Sequence, residues 1–360
     1  RERLTMTAAA LAAVPSLADV VAAQFAPLAR RIDEEGLYPE DALRAAGAAG
    51  AFAAHADLSP AGLGRSVSAM ALIGGACGAS AFCAWCQDAL GWYVAASDNS
   101  ALRDKALGAV ASGTQLGGTG LSNPMKTFSG LDTLALTGVR VPGGWRVTGK
   151  LPWVSNLGPD HLFASIFDAG PTRVMAVFDC AQEGIRLVSG GTFIALEGTR
   201  TYSVLIRDAF VPDGNVLSED AATFVPRIRQ GFVILQMGMA LGAARAAAAQ
   251  MRIDGRNRAL KAVLPLDADA IEARADDLER RSAIRAGEAL DPGRPAFLET
   301  LRLRLDGSLL ALEAAQANLI AHGARGYLAG SRPPRLQREA HFVAIVSPSV
   351  KHILTELSRG

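Results

Sequence analysis

The sequence predicts an α+β chain in three parts: an N-terminal helical domain over residues 1–112, a middle β domain over 113–222, and a C-terminal helical bundle over 223–360. Two observations predict this order. Apolar residues recur at three-to-four spacing up to about Val110, switch to period two between Ser112-Gly113 and Leu217, and return to helical spacing from Thr223 onward. The β-rich span also consists of short runs punctuated by turn residues, with no strand-helix-strand alternation and no GxGxxG, which predicts a barrel or sandwich and disfavours a Rossmann nucleotide site.

The first part reads as helices over Leu11 to Arg31, Pro39 to Gly50, Ser66 to Ser80 running on through Trp92, and a shorter one from Asn99. Met70 to Val94 is almost unbroken apolar sequence, as expected of a helix buried between others. The Ala-rich start, Thr7 to Val14, reads as the head of the first helix rather than a signal segment, because the apolar stripe continues through Leu17, Val20, Val21 and Phe25. Four cysteines are too few for a disulfide scaffold, which points to a reducing cytoplasm. Cys83-Ala-Trp-Cys86 has no second pair and no neighbouring His, so it reads as core packing and no metal is expected.

In the middle part the β-prone runs Leu134 to Val141 and Trp145 to Val147 flank Gly143-Gly144. Gly149, Pro152, Asn156, Gly158 and Pro159 then predict a loop holding Trp153, Ser155 and Asn156. A flat aromatic face, a hydroxyl and an amide suit a planar, hydrogen-bonding ring. The same residues also fit an ordinary sheet corner with a packed Trp.

Beyond it, helices are expected over Phe224 to Arg252, Ala268 to Ala289, Pro295 to His322 and around Ser349 to Leu357. The small residues crowding Gly238 to Ala249 read as close helix packing, and the charged run IEARADDLERRSAIRAGEA reads as a solvated face. Thirty-six basic against thirty-five acidic residues give no polycationic footprint, so nucleic acid is excluded as a partner. No run of about eighteen uninterrupted apolar residues occurs, so no membrane span is expected.

The stretch WVSN followed by Gly158-Pro159-Asp160 resembles the WITN…AD signature of the acyl-CoA dehydrogenase superfamily. Gly117 to Asn123 lies where that family has its T-E-P…G-S-D loop. GTRTYSVLIRDAFVPDGNVL is similar to the family's F-x-D-V-x-V-P-x-x-N-x-L ending, with Asp208, Val211, Pro212, Asn215 and Leu217 in step. HGARGYL followed by Arg338-Glu339-Ala340 resembles its GGxGY…RDA pair, with Gly323, Gly326, Tyr327 and Arg338 in place. The resemblance implies the family's three-domain fold, ending in a four-helix bundle, and assembly as a homodimer or homotetramer. It also implies a flavin, FAD or alternatively FMN, with Trp153 on the ring's face, Ser155 at its N5 edge, Ser122 towards the phosphates and Arg256 answering pyrophosphate charge from a neighbouring subunit.

The resemblance further implies an oxidoreductase acting on a small substrate, an acyl-CoA or a relative of one. Such a dehydrogenation removes a proton beside a thioester carbonyl, and the family supplies a glutamate for it. Here Ser347 falls at that place, and Phe232 at the other known one. Ser347 and His352, one turn beyond it, are therefore the catalytic candidates, ahead of Glu197, Glu356 and His341. Loss of the glutamate is also a trait of the superfamily's two-component monooxygenases, which draw reduced flavin from a partner reductase. A silent member that keeps the fold as a binding or assembly module is the third reading.

Overall fold

The computed structural model describes residues 14–253 and 264–359; the first thirteen residues, with most of the Ala-rich start, and the position of Arg256 lie outside them. The first helical layer comprises α1 (residues 17–34, with a π-helical turn at Val21–Phe25), α2 (Glu40–Ala48), α3 (Pro60–Ala76), α4 (Gly78–Ala96) and α5 (Ser100–Ala111). Where the sequence predicts one helix through Trp92, the structure has two, because Cys77 adopts extended backbone (φ −154°, ψ 117°) between α3 and α4. A three-to-four apolar pattern continues across such a break, so periodicity alone does not mark it. Nearly every residue of α4 is buried, as its unbroken apolar composition requires.

The middle part comprises β1 (Gly117–Thr119), the short helix α6 (Ser122–Phe128), β2 (Leu136–Val141), β3 (Gly144–Val154), β4 (Leu162–Asp168), β5 (Arg173–Asp179), β6 (Ile185–Ser189), β7 (Tyr202–Pro212) and β8 (Val216–Ser218). These strands form one mixed sheet in the order β6-β7-β3-β2-β4-β5-β8, with β1 added parallel to β4. A single parallel pairing, Thr137 with Asp168, joins its two halves. Leu136, Val147, Val204 and Ile206 of one half share an apolar core with Phe163, Phe167 and Phe178 of the other. The halves thus face each other as a sandwich does, while remaining one sheet.

The helices that follow are α7 (Ala221–Leu235), α8 (Met237–Ile253), α9 (Ala268–Ala286), α10 (Arg294–His322), α11 (Arg332–Ile345) and α12 (Val350–Ser358). The expected helix from Phe224 to Arg252 is interrupted at Gln236. Its small residues do bring helices close: a Cβ on Gly242 of α8 would stand 2.8 Å from the Gly74 Cα of α3, so only glycine allows this crossing. The stretch Ala221–Ile253 is by length and composition apolar enough to cross a membrane, though polar and charged residues interrupt it; 89% of its most apolar window is buried inside the protein. The charges of α9 face outward and tie neighbouring helices, as in Arg245 with Glu279 (2.7 Å) and Arg281 with Asp306 (2.7 Å).

Candidate active site

A cavity of about 380 Å³ opens where the sheet meets the helices. On the sheet side it is lined by Trp153 and Ser155 at the end of β3, by Thr119 and Ser122 of the β1–α6 corner, and by Thr199 and Thr201 before β7. On the helical side stand Phe82, Trp85 and Cys86 of α4, Phe232 of α7, and His341, Phe342 and Ser347 on or just beyond α11. Ser122, Trp153, Ser155 and Ser347, up to 225 residues apart in sequence, therefore line one chamber.

Trp153 lies within β3 rather than in a loop. The strand continues through Pro152 because the ladder to β7 is irregular between Leu151 and Val154, where a missing N–H costs nothing. At 61% exposure the indole offers a bare aromatic face at the cavity, unlike the buried Trp85 and Trp92. Ser155 follows it, nearly buried, with Oγ 2.6 Å from Thr201 Oγ1. Thr201 Oγ1 in turn lies 2.8 Å from Thr199 Oγ1, which donates to the Leu196 carbonyl at 2.7 Å.

Asn156 is different. It is fully buried in left-handed backbone (φ 62°), its Oδ1 accepts from Tyr38 Oη at 2.7 Å, and its Nδ2 donates to the Gly117 carbonyl at 2.6 Å. Both ends of its amide are used, so it braces the corner and is not free to meet a ligand.

The opposite wall is aromatic. The Phe82 and Trp85 rings stack with centroids 5.6 Å apart, and Phe342 and Phe232 meet them edge-on at 4.5 and 5.1 Å. Ser347 places its Oγ 2.7 Å from Ser122 Oγ, closing a hydroxyl pair across the chamber. Its carbonyl accepts from Gln236 Nε2 at 2.8 Å, and Gln236 Oε1 accepts from the fully buried Arg304 at 2.7 Å. Arg304 also donates to the Val343 carbonyl and to Ser308. Burial lowers its guanidinium to about 10, so it is a charged group held by neutral acceptors. The break at Gln236 thus has a purpose: it turns an amide between the buried cation and the segment carrying Ser347.

Of the other candidates, the structure does not bring His352 to the cavity. Its Nε2 sits 2.8 Å from Ser129 Oγ, and burial lowers its pKa. A one-turn spacing from Ser347 placed it there on paper, but Pro348 and the start of α12 at Val350 lie between them. His341 does line the cavity: its Nδ1 lies 2.8 Å from the Gln337 carbonyl, an acceptor, so Nδ1 is the donor there. Glu356 is buried against Arg294 at 3.1 Å, and Glu197 accepts from the Phe193 backbone N–H; neither lines the cavity. No Asp or Glu lines it among the described residues. Arg338 on α11 donates to Asp33 at 2.7 Å and to the Ile194 carbonyl at 2.8 Å, pinning the loop at the cavity rim.

Residues 7–114 match the family described as acyl-CoA dehydrogenase, N-terminal domain. A curated relative from Bacillus subtilis (strain 168), the probable acyl-CoA dehydrogenase YngJ, is 23% identical over 351 residues, covering 91% of each chain. Among solved structures, butyryl-CoA dehydrogenase from Megasphaera elsdenii superposes with a TM-score of 0.83 at 15% identity over 95% of both chains. A glutaryl-CoA dehydrogenase from Mycobacterium smegmatis in complex with FADH2 gives 0.75 at 14% identity over 95% of this chain and 92% of that one. KijD3 in complex with FMN and an amino-keto sugar nucleotide gives 0.76 at 17% over 95% and 92%.

Proposed function

From a chain of acyl-CoA dehydrogenase-like fold, with an N-terminal domain matching that family, we propose a flavin-dependent oxidoreductase acting on an acyl-CoA or a related small substrate. The observation that carries this reading is the convergence of Trp153, Ser155, Ser122 and Ser347 on one cavity. The lining fits the ring half of a flavin: an exposed indole face on one side, hydroxyls at its edge and an aromatic wall opposite. FAD is the proposed cofactor, FMN its alternative; relatives of this fold are known with FADH2 and with FMN. A bound flavin would supply a two-electron carrier at N5. The chain's own residues would hold the ring against Trp153, meet its edge with Ser155, exclude water with the Phe82–Trp85–Phe342 wall, and orient the substrate beside the Ser122–Ser347 pair. His341, its Nδ1 held by the Gln337 carbonyl, is the imidazole at the cavity wall that could serve proton transfer.

One observation favours a second reading. Ser347 and Phe232 stand where the resemblance would put the family's carboxylate, and no carboxylate lines the cavity among the described residues. A monooxygenase fed with reduced flavin by a partner reductase needs no such base for α-proton removal, and the lining suits it equally. A reducing cytoplasm fits either reading, since all four cysteines are free and buried. Assembly as a homodimer or homotetramer fits the exposed apolar side chains Tyr327, Leu328, Ile320 and Ile253.

The test is the visible absorbance of the purified protein before and after incubation with FAD or FMN and desalting, repeated anaerobically with reduced flavin. Anaerobic bleaching of bound flavin by an acyl-CoA supports the dehydrogenase. Oxygen consumption only when a reductase supplies reduced flavin supports the monooxygenase. Retention of neither redox state sinks both and leaves the silent binding module.

A further inference from the structure

The hydroxyls of Ser155, Thr201 and Thr199 are not interchangeable partners in a loose cluster. Each carries one proton. Thr199 spends its proton on the Leu196 carbonyl, a pure acceptor, at 2.7 Å. In the 2.8 Å contact between Thr199 and Thr201 the donor must then be Thr201. Thr201 has no second proton, so Ser155 must be the donor in the 2.6 Å contact between them. The row is therefore polarised in one direction, Ser155 to Thr201 to Thr199 to Leu196, and Ser155 Oγ faces the cavity with lone pairs only. A ligand atom meeting it must bring its own hydrogen, since two acceptors in contact at a nearly buried site are left unsatisfied.

We propose that this relay makes the site selective for the redox state of its flavin: Thr199 and Thr201, acting through Ser155, favour the reduced ring over the oxidised one. This rests on the reading of the cavity as a flavin site with Ser155 at N5. Reduced flavin carries a hydrogen on N5 and donates it to Ser155, whereas oxidised flavin presents a bare lone pair there. Thr199 and Thr201 are positioning residues in this account, because neither needs to touch N5. The inference also favours the reading in which reduced flavin arrives from elsewhere.

The test is an anaerobic titration of the full chain with FAD and FMN, each oxidised and dithionite-reduced, followed by tryptophan fluorescence. The native protein is expected to bind reduced flavin about tenfold more tightly, the worth of one satisfied hydrogen bond against one acceptor clash. Thr201→Val keeps the shape, removes the acceptor for the Ser155 proton, and frees that proton for oxidised N5; the reduced-to-oxidised ratio should collapse towards one or invert. Thr199→Val should do the same, because Thr201 can then donate to Ser155. Thr201→Ser should restore the native ratio, which a merely structural role for the methyl group would not. Equal binding of both redox states by the native protein, or a ratio unmoved by Thr201→Val and Thr199→Val in melting-competent protein, overturns the relay and leaves the flavin site standing. Binding of neither state overturns the flavin reading and the relay with it.

Discussion

The two walls of the cavity are built on opposite principles. The sheet side is polar and directional: Ser155, Thr201 and Thr199 pass a proton order along one line, anchored on a backbone carbonyl. The helical side is apolar and shaped by aromatic packing, with the Ser347 hydroxyl, the His341 imidazole and the Arg338 guanidinium as its polar groups. Behind the wall the buried Arg304 holds Ser347 through Gln236. The sheet side can order the hydrogen bonds of a planar ring, while the helical side presents no carboxylate among the described residues. The two walls therefore suit different tasks, directional polar contact on one side and apolar enclosure on the other.

On the dehydrogenase reading, the largest effect should come from supplying a carboxylate to the helical wall. Ser347→Glu breaks the pair with Ser122 and sets a carboxylate at the cavity. If the cofactor half is intact, anaerobic bleaching of bound flavin by an acyl-CoA should rise by about a hundredfold or more, the usual worth of a positioned general base. An unchanged rate would place the loss elsewhere than in the helical wall.

Arg304→Leu attacks the support behind that wall. It strips the donors from Gln236, Ser308 and the Val343 carbonyl, and should cost about 3 kcal/mol in urea unfolding. A loss under about 1 kcal/mol would mean that the network is replaceable by packing.

A smaller effect is expected from Glu339, on the face of α11 turned away from the cavity towards Gly78 and Arg335. Burial raises its carboxyl to about 7, above its ordinary value, and Arg335 only partly opposes this. The folded protein then holds a proton that the unfolded chain releases between roughly pH 4.5 and 7, so this group's contribution falls as pH rises through that window. Glu339→Gln should flatten the corresponding part of the melting-temperature profile and raise the melting temperature at pH 8. A profile that keeps its slope there would assign the dependence to other groups.

Much of this fold was legible because its signals are local. The switch from helical to period-two patterning marks the change of layer, and Gly143 sits in the turn between β2 and β3 while Gly144 opens β3. Motif resemblance singled out Trp153, Ser155, Ser122 and Ser347, which the structure brings to the lining of one cavity. The helix breaks at Cys77 and Gln236 were not legible, since neither residue is a breaker and the one at Gln236 serves a tertiary contact. The relay was not visible: Thr199 closes a 3-10 turn, Arg200 takes left-handed backbone (φ 45°), and nothing in the sequence says that the hydroxyls brought together by this turn meet Ser155, 46 positions away from Thr201. His352 shows the converse, a residue near Ser347 in sequence whose helix turns it to Ser129 instead. Arg256 lies outside the described residues.

The central claim is that the cavity beside Trp153 holds a flavin, and the most direct measurement is flavin retention after anaerobic incubation and desalting, native protein against Trp153→Ala. The account predicts a retained flavin spectrum in the native protein, in the reduced state at least, and a loss of about tenfold or more in affinity when the indole is removed, as expected for a stacking face. Retention that is indifferent to Trp153→Ala, or no retention in either redox state, would contradict it.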